Sequence, residues 1–306
     1  MSSQTHWRAY GLLVFTTWCW GLNTIFSRMA VGEISPMQLV MFRWLGVIAL
    51  VLLFARQYLI QDWPVLRKHL LFMSVMGTIG FTLFNYLFYL AGYYTSALNI
   101  GILQGSLPIF VLLVSFLIFR QRITAVQGVG VVITLLGVLI IAAGGNLLEL
   151  QKLSLNRGDL YILLACFLYA MYSIGLSRRP KVRALSLFTV MSIAAWIVSL
   201  PLLAIEIAQQ GWQNPTPKGW IIALVVTILP SLVAQIFFIQ SVALIGPGRA
   251  GVFMNLIPVF AAIMAVMFLQ ETFEQHHAFS LVLVLGGIAL SELGRPREGQ
   301  LAQSGN

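Results

Sequence analysis

The hydrophobic pattern is one of long apolar runs separated by short polar breaks. An unbroken apolar helix needs about 20 residues to cross a bilayer core. Ten segments meet that length, at residues 9–30, 36–55, 70–91, 96–119, 125–144, 158–178, 184–207, 219–241, 247–269 and 276–294. None shows the strict alternation of a half-buried strand. The connections are short, the longest lying near 145–157 and 208–218. The predicted fold is therefore an all-α membrane protein of ten transmembrane helices. The first apolar run is long enough to span and is not followed by a small-residue cleavage pattern, so it is expected to remain as a helix. The residues after Gly294 are polar and read as a disordered tail.

The pattern repeats. Moving residues 85–122 forward by 150 places Pro258 on Pro108, Phe260 on Phe110, Gly251 on Gly101 and Gln235 on Asn85. Each half then holds five helices. An odd number forces the second half to be inverted in the membrane, and such repeats place a binding site near the midplane between halves. The expected division is a first repeat at 1–147, an inverted second repeat at 148–295 and a cytoplasmic tail at 296–306.

Composition agrees. Of 306 residues, 59% are apolar and 9% charged, against about 25% charged in a soluble domain. The surface must face lipid, and the eight tryptophans suit the interfacial belts. The net charge of +9 does not imply nucleic acid, because the basic residues sit in short loops. With the N-terminus in the cytoplasm, 13 of 18 Lys and Arg fall on that side and four on the other, with Arg43 inside a helix. Both termini are thus expected in the cytoplasm of a bacterial-type inner membrane. Cys19 and Cys166 lie in apolar runs and read as buried small hydrophobes, not as a disulfide or metal site.

An ionisable group deep in a bilayer defaults to a functional reading. Arg43 alone qualifies. It is either a counter-charge for a substrate carboxylate or phosphate, or a structural arginine tying helix ends through backbone carbonyls. The nine acidic residues all lie in loops or near helix ends, so no proton relay or cation site is expected at mid-depth. A substrate that is neutral, zwitterionic or only locally charged, held by amides, hydroxyls and aromatic faces, is favoured. Candidates at the right depth are Asn85 and Tyr89 on helix 3, Gln104 on helix 4, Gln235 on helix 8 and Asn255 on helix 9. Helix 1 adds Trp20 and Asn23, and helix 6 adds Tyr169. Each could instead make an interhelical hydrogen bond. Pro108 and Pro258 remove a backbone donor and kink their helices, and Gly101 and Gly251 allow close approach. These four read as gating positions. No phosphate-binding loop, metal cluster or nucleophile–base pair appears. No cofactor and no ATP-driven pumping are expected, and the chain is not read as an enzyme. His276 and His277 with Glu271 and Glu274 read as a solvated loop.

Several pieces together carry a family resemblance. They are WCWGLN at residues 18–23, Pro36 followed by Phe42 and Arg43, YTSA at 94–97, and the paired Leu-Pro-Ile-Phe at 107–110 and Ile-Pro-Val-Phe at 257–260. Over residues 9–294 the chain resembles the drug/metabolite transporter superfamily, EamA type. Gln121 stands where Glu271 stands in the second half, a departure from the acidic pattern. The resemblance implies a secondary transporter that exports small organic metabolites such as amino acids by alternating access. It also includes an arginine at position 43 whatever the substrate, which favours the structural role. Lipophilic cations are the alternative cargo, and a polytopic enzyme the more distant alternative. The expected partners are lipid and the substrate, with no nucleic acid, in a monomer or weak homodimer.

Overall fold

The computed structural model describes residues 3–119, 124–145, 156–245, 250 and 253–294. The described residues are helical throughout, with no strand. The long helices are α1 (Ser3–Met29), α2 (Pro36–Leu66), α7 (Ala125–Ala142), α8 (Arg157–Gly175), α9 (Ala184–Gln210) and α13 (Gln275–Leu293). Between them lie composite runs. Helices α3 (Leu70–Gly77) and α4 (Phe84–Ala91) flank a π-helical segment, Thr78–Leu83. Helices α10 (Pro217–Val226) and α11 (Ala234–Ile245) flank a second, Thr227–Val233. Helices α5 (Ala97–Gln104) and α6 (Leu107–Phe119) are parted by a turn at Gly105–Ser106, and α12 (Leu256–Leu269) follows a turn at Met254–Asn255.

Among the described residues, seven helical runs are long and apolar enough to cross a membrane, and α12 is a shorter apolar helix. One of the seven, Pro36–Ala91, has 56 residues. At 1.5 Å per residue it extends about 84 Å, far beyond a ~30 Å hydrocarbon core. A 3₁₀ turn of Arg67, Lys68 and His69 divides it.

Local chemistry starts these helices. Ser35 and Gln38 form a capping box ahead of Pro36 at the first helical position. Thr124 and Gln127 do the same for α7. Ser96, Asn156 and Thr216 each accept a hydrogen bond from a first-turn backbone N–H. Gly32 and Gly211 turn the chain at φ +78° between helices, where a side chain would be strained.

Packing pairs the two halves of the chain. Helix α7 lies along α13, α2 along α9, α1 against α11 and α12, and α4 and α6 against α8. The main core is aromatic at its centre, with Trp44, Phe81, Phe88, Tyr89, Tyr172 and Phe188 buried together. The outward faces are apolar: Leu53, Phe54, Leu71, Leu117, Met267 and Val282 are each more than 60% exposed. Apolar flanks around a partly polar interior suit a lipid solvent.

Carboxylates close the helix ends across the halves. Asp62, near the end of α2, accepts from Ser186 Oγ at 2.6 Å at the start of α9. Reciprocally, Glu206 near the end of α9 accepts from Ser35 and the Met37 N–H at the start of α2. Glu33 accepts from Thr216 and, at 3.1 Å, from Lys218 Nζ at the start of α10. Those bonds, Thr216 first, hold the Glu33 carboxyl below its ordinary range. A lowered native pKa stabilises the fold above the unfolded pKa, and that contribution is lost as pH falls through the native value. Glu33→Gln is therefore expected to lower the melting temperature at pH 7. The gap to the natural protein should close on acidification below the carboxylate range, as read by thermal unfolding in detergent.

Candidate functional site

Arg43 sits in the third turn of α2, 6% exposed. Its Nη1 donates to Asn85 Oδ1 at 2.7 Å and to the Tyr89 hydroxyl at 2.6 Å, with Asn23 Oδ1 at 3.4 Å. Tyr89 in turn donates to Asn23 Oδ1 at 3.0 Å. Asn85 Nδ2 donates to the Phe81 carbonyl at 2.6 Å. That carbonyl lies in the π-helical segment, where the wider turn loosens the regular ladder. One network thus joins α1, α2 and α4 through a single guanidinium. Every partner is neutral, and among the described residues Arg43 forms no ion pair. The tie to helix-end carbonyls is made by a different arginine: Arg28 Nη1 donates to Gly92 O at 2.6 Å.

The aromatic core lies beside this network. The guanidinium carbon is 5.2 Å from the Trp44 ring centroid. Trp44 stacks on Phe81 at 4.6 Å, and Tyr172 approaches Phe81 at 5.4 Å. Tyr169 is half-buried, 5.0 Å from Phe84 and 5.3 Å from Tyr172. A Cβ on Gly80 would overlap the Tyr172 ring, so the π-helical backbone touches α8 directly. The equivalent contact in the other half is polar: Trp20 Nε1 donates to Pro230 O, within the second π-helical segment, at 3.0 Å.

The remaining candidates are more dispersed. Gln104 ends α5 and its buried Oε1 has no partner. Gln235 opens α11, half-buried, and makes no hydrogen bond among the described residues. Asn255 precedes α12 without capping it. Pro108 and Pro258 fall in the first turns of α6 and α12, just after the two breaks. A Cβ on Gly105 would lie 3.3 Å from Pro258 Cγ, so the first break rests against the second proline. A Cβ on Gly101 would lie 2.6 Å from Ala261 Cβ. Gly251, Gln121, the 146–155 connection and the 296–306 tail lie outside the described residues.

Three features escaped the sequence pattern. The π-helical segments were read as ordinary helix, although Pro230 inside an apolar run was a signal. Glu271 read as a loop residue, yet its carboxylate accepts from the Ala97 and Leu98 N–H groups, both at 2.8 Å. Beside it, Asp159 accepts from Thr95 at 2.7 Å. The reading of His276 and His277 as a solvated loop is corrected. Both lie in the first turn of α13, and His277 is buried, accepting from the Glu274 N–H at 3.0 Å. Helix initiation needs that acceptor, and burial follows from it.

Apolar-flanked helices around a buried polar and aromatic centre define an integral membrane protein of the transporter class. The chain belongs to the EamA-like transporter family, whose model matches residues 7–143 and again 156–293. Among its relatives is the uncharacterized transporter YetK of Bacillus subtilis (strain 168), 25% identical over 271 residues, 86% of this chain and 81% of that one. An uncharacterized transporter of Archaeoglobus fulgidus is 26% identical over 302 residues, covering 95% and 98% of the two chains. A solved crystal structure matches with a TM-score of 0.60 at 17% identity, covering 96% of this chain and 98% of the other, which shows the fold alone. The protein is a transporter and not an enzyme.

Proposed function

We propose that this chain is a secondary transporter that exports small organic metabolites, amino acids first among them, across a bacterial-type inner membrane. In this reading ten passes form two inverted repeats, 1–147 and 148–295, with both termini cytoplasmic. Rocking of one repeat against the other exposes the Arg43–Asn85–Tyr89 centre to each side in turn. The observation that carries the proposal is this buried polar network among helices whose outer faces are apolar. Polar groups at such depth are costly without use. Paired features support the two-fold plan. The π-helical segments start at Thr78 and Thr227, and the breaks fall at Gly105–Ser106 and Met254–Asn255.

Counterflow in proteoliposomes with a panel of labelled amino acids tests it. Asn85→Ala removes the acceptor for Arg43 and the donor to Phe81. A buried bond of this kind is worth about 1–3 kcal/mol, so kcat/KM should fall about 10- to 100-fold. Gln235→Ala breaks no bond among the described residues, so its melting temperature should stay unchanged while transport falls. Unaltered transport in both variants would remove them from the substrate path, and no exchange of any panel member would overturn the amino-acid reading.

A further inference from the structure

The Arg43 network is paired on one side and unpaired on the other. All of its described hydrogen bonds converge on Nη1. Nε is buried and has no partner. On the following residue, Trp44, 3% exposed, the indole Nε1 is also buried and unpartnered. Both orphaned atoms are N–H donors. Buried polar atoms are nearly always paired, so unpaired donors on two adjacent residues, with the guanidinium carbon 5.2 Å from the Trp44 ring centroid, point to an acceptor other than the protein's own groups. The charge argues in the same direction. Arginine keeps its proton, and here only amide oxygens and a phenol surround it. A cation held eight residues into α2, about 11 Å from the helix start, lacks both counter-ion and bulk water.

From this we infer that the transported molecule carries a carboxylate, which docks on the Nε side of Arg43 and takes the Trp44 indole N–H as a further donor. The inference rests on the transporter reading above and deepens it by naming the recognised group. A guanidinium edge presents parallel N–H groups at the spacing of two carboxylate oxygens. Asn23, Asn85 and Tyr89 hold Nη1 and so fix the plane of that edge. The stacked Trp44–Phe81 pair, with Tyr172 behind it, provides a flat apolar wall next to the anion. A cargo with a planar, apolar body joined to the carboxylate fits both parts. Lipophilic cations do not, because the unpaired guanidinium repels them.

The test uses the full-length protein in detergent and four probes with one aromatic body: phenylalanine, phenylacetate, phenylacetamide and phenethylammonium. Phenylalanine and phenylacetate should raise the melting temperature in a saturable way. Phenylacetamide and phenethylammonium should bind at least about tenfold more weakly. Trp44→Phe keeps an aromatic ring and loses the indole donor with the five-membered ring, so the preference for phenylacetate over phenylacetamide should fall about tenfold. Arg43→Gln should abolish the preference for the anion. If that variant does not fold, Trp44→Phe decides alone. Equal protection by phenylacetamide, or preference for phenethylammonium, overturns the inference. If the amino-acid panel still exchanges in proteoliposomes, the docking of the carboxylate on Arg43 and Trp44 falls alone. If no amino acid exchanges, the amino-acid reading falls with it.

Discussion

Gly130→Val should strongly disrupt the packing of α7 on α13. A Cβ on Gly130 would stand 2.5 Å from the Gly287 carbonyl oxygen and 2.7 Å from the Ser291 nitrogen. Both obstacles are backbone, so neither can rotate away. On the facing helix a Cβ at Gly287 would meet Gly130 O at 2.6 Å. Helices α7 and α13 therefore touch backbone to backbone, a contact that small residues permit in membranes. Overpacking typically costs about 1–3 kcal/mol, and a fixed backbone clash belongs at or above that upper end. The neighbouring glycines are the control. Gly128 and Gly286 have nothing within 4 Å of an added Cβ, so valine there should change stability by no more than about 0.5 kcal/mol. Size-exclusion profiles after heating would separate the two cases. Equal tolerance at positions 128 and 130 would refute the close crossing.

The second large effect is expected at Glu271. Its carboxylate lies beyond α12 yet closes the first turn of α5 through two backbone N–H groups at 2.8 Å. Asp159, from the start of α8, holds Thr95 two residues before α5 begins. The Tyr94–Ala97 turn is thus clasped by two carboxylates from the other half of the chain. Charge-assisted bonds to a helix start are worth about 1–3 kcal/mol. Glu271→Ala should therefore raise the open population at this end about 10- to 100-fold. Thiol labelling of Ile102→Cys, fully buried one turn inside α5, would report it in a background without Cys19 and Cys166. Glu271→Gln keeps one acceptor oxygen and should fall between the natural protein and the alanine variant. Unchanged labelling in Glu271→Ala would show that the clasp does not hold the turn.

Much of this architecture can be read from residue order. A bilayer demands about 20 apolar residues per pass, and that demand is visible in composition alone. The caps at Ser35, Thr124 and Thr216 are local and equally visible. Arg43 is conspicuous as the one charge far from a helix end. Its partners are less so, because Asn23 and Tyr89 are interchangeable in sequence with many polar residues that bond elsewhere. The glycines of α7 and α13 read alike, but only Gly130, Gly137 and Gly287 face a neighbour; Gly128 and Gly286 point to open space. Helix rotation decides this, and an all-apolar run encodes rotation weakly. The π-helical segments are hidden for a related reason. One extra residue in a turn leaves the hydrophobic pattern intact, and Pro230 has glycine, not proline, at the matching position of the first half. The carboxylate clasps join residues as far as 174 apart, beyond any local signal.

The pairing of helices across halves has a consequence for the order of synthesis. A ribosome delivers α1 to α7 to the membrane before α8 exists. At that moment Ser35 and Thr95 have no carboxylate, Asp62 has no Ser186, and the backbone face of α7 at Gly130 has no companion. The early half must therefore persist in lipid as separate helices, held by its own caps and by the Arg43 network, which needs only α1, α2 and α4. That network, with the Arg28–Gly92 bond, is able to form before the second half arrives. Arg43 can thus serve as the fastening of a half-made protein before it serves a finished one.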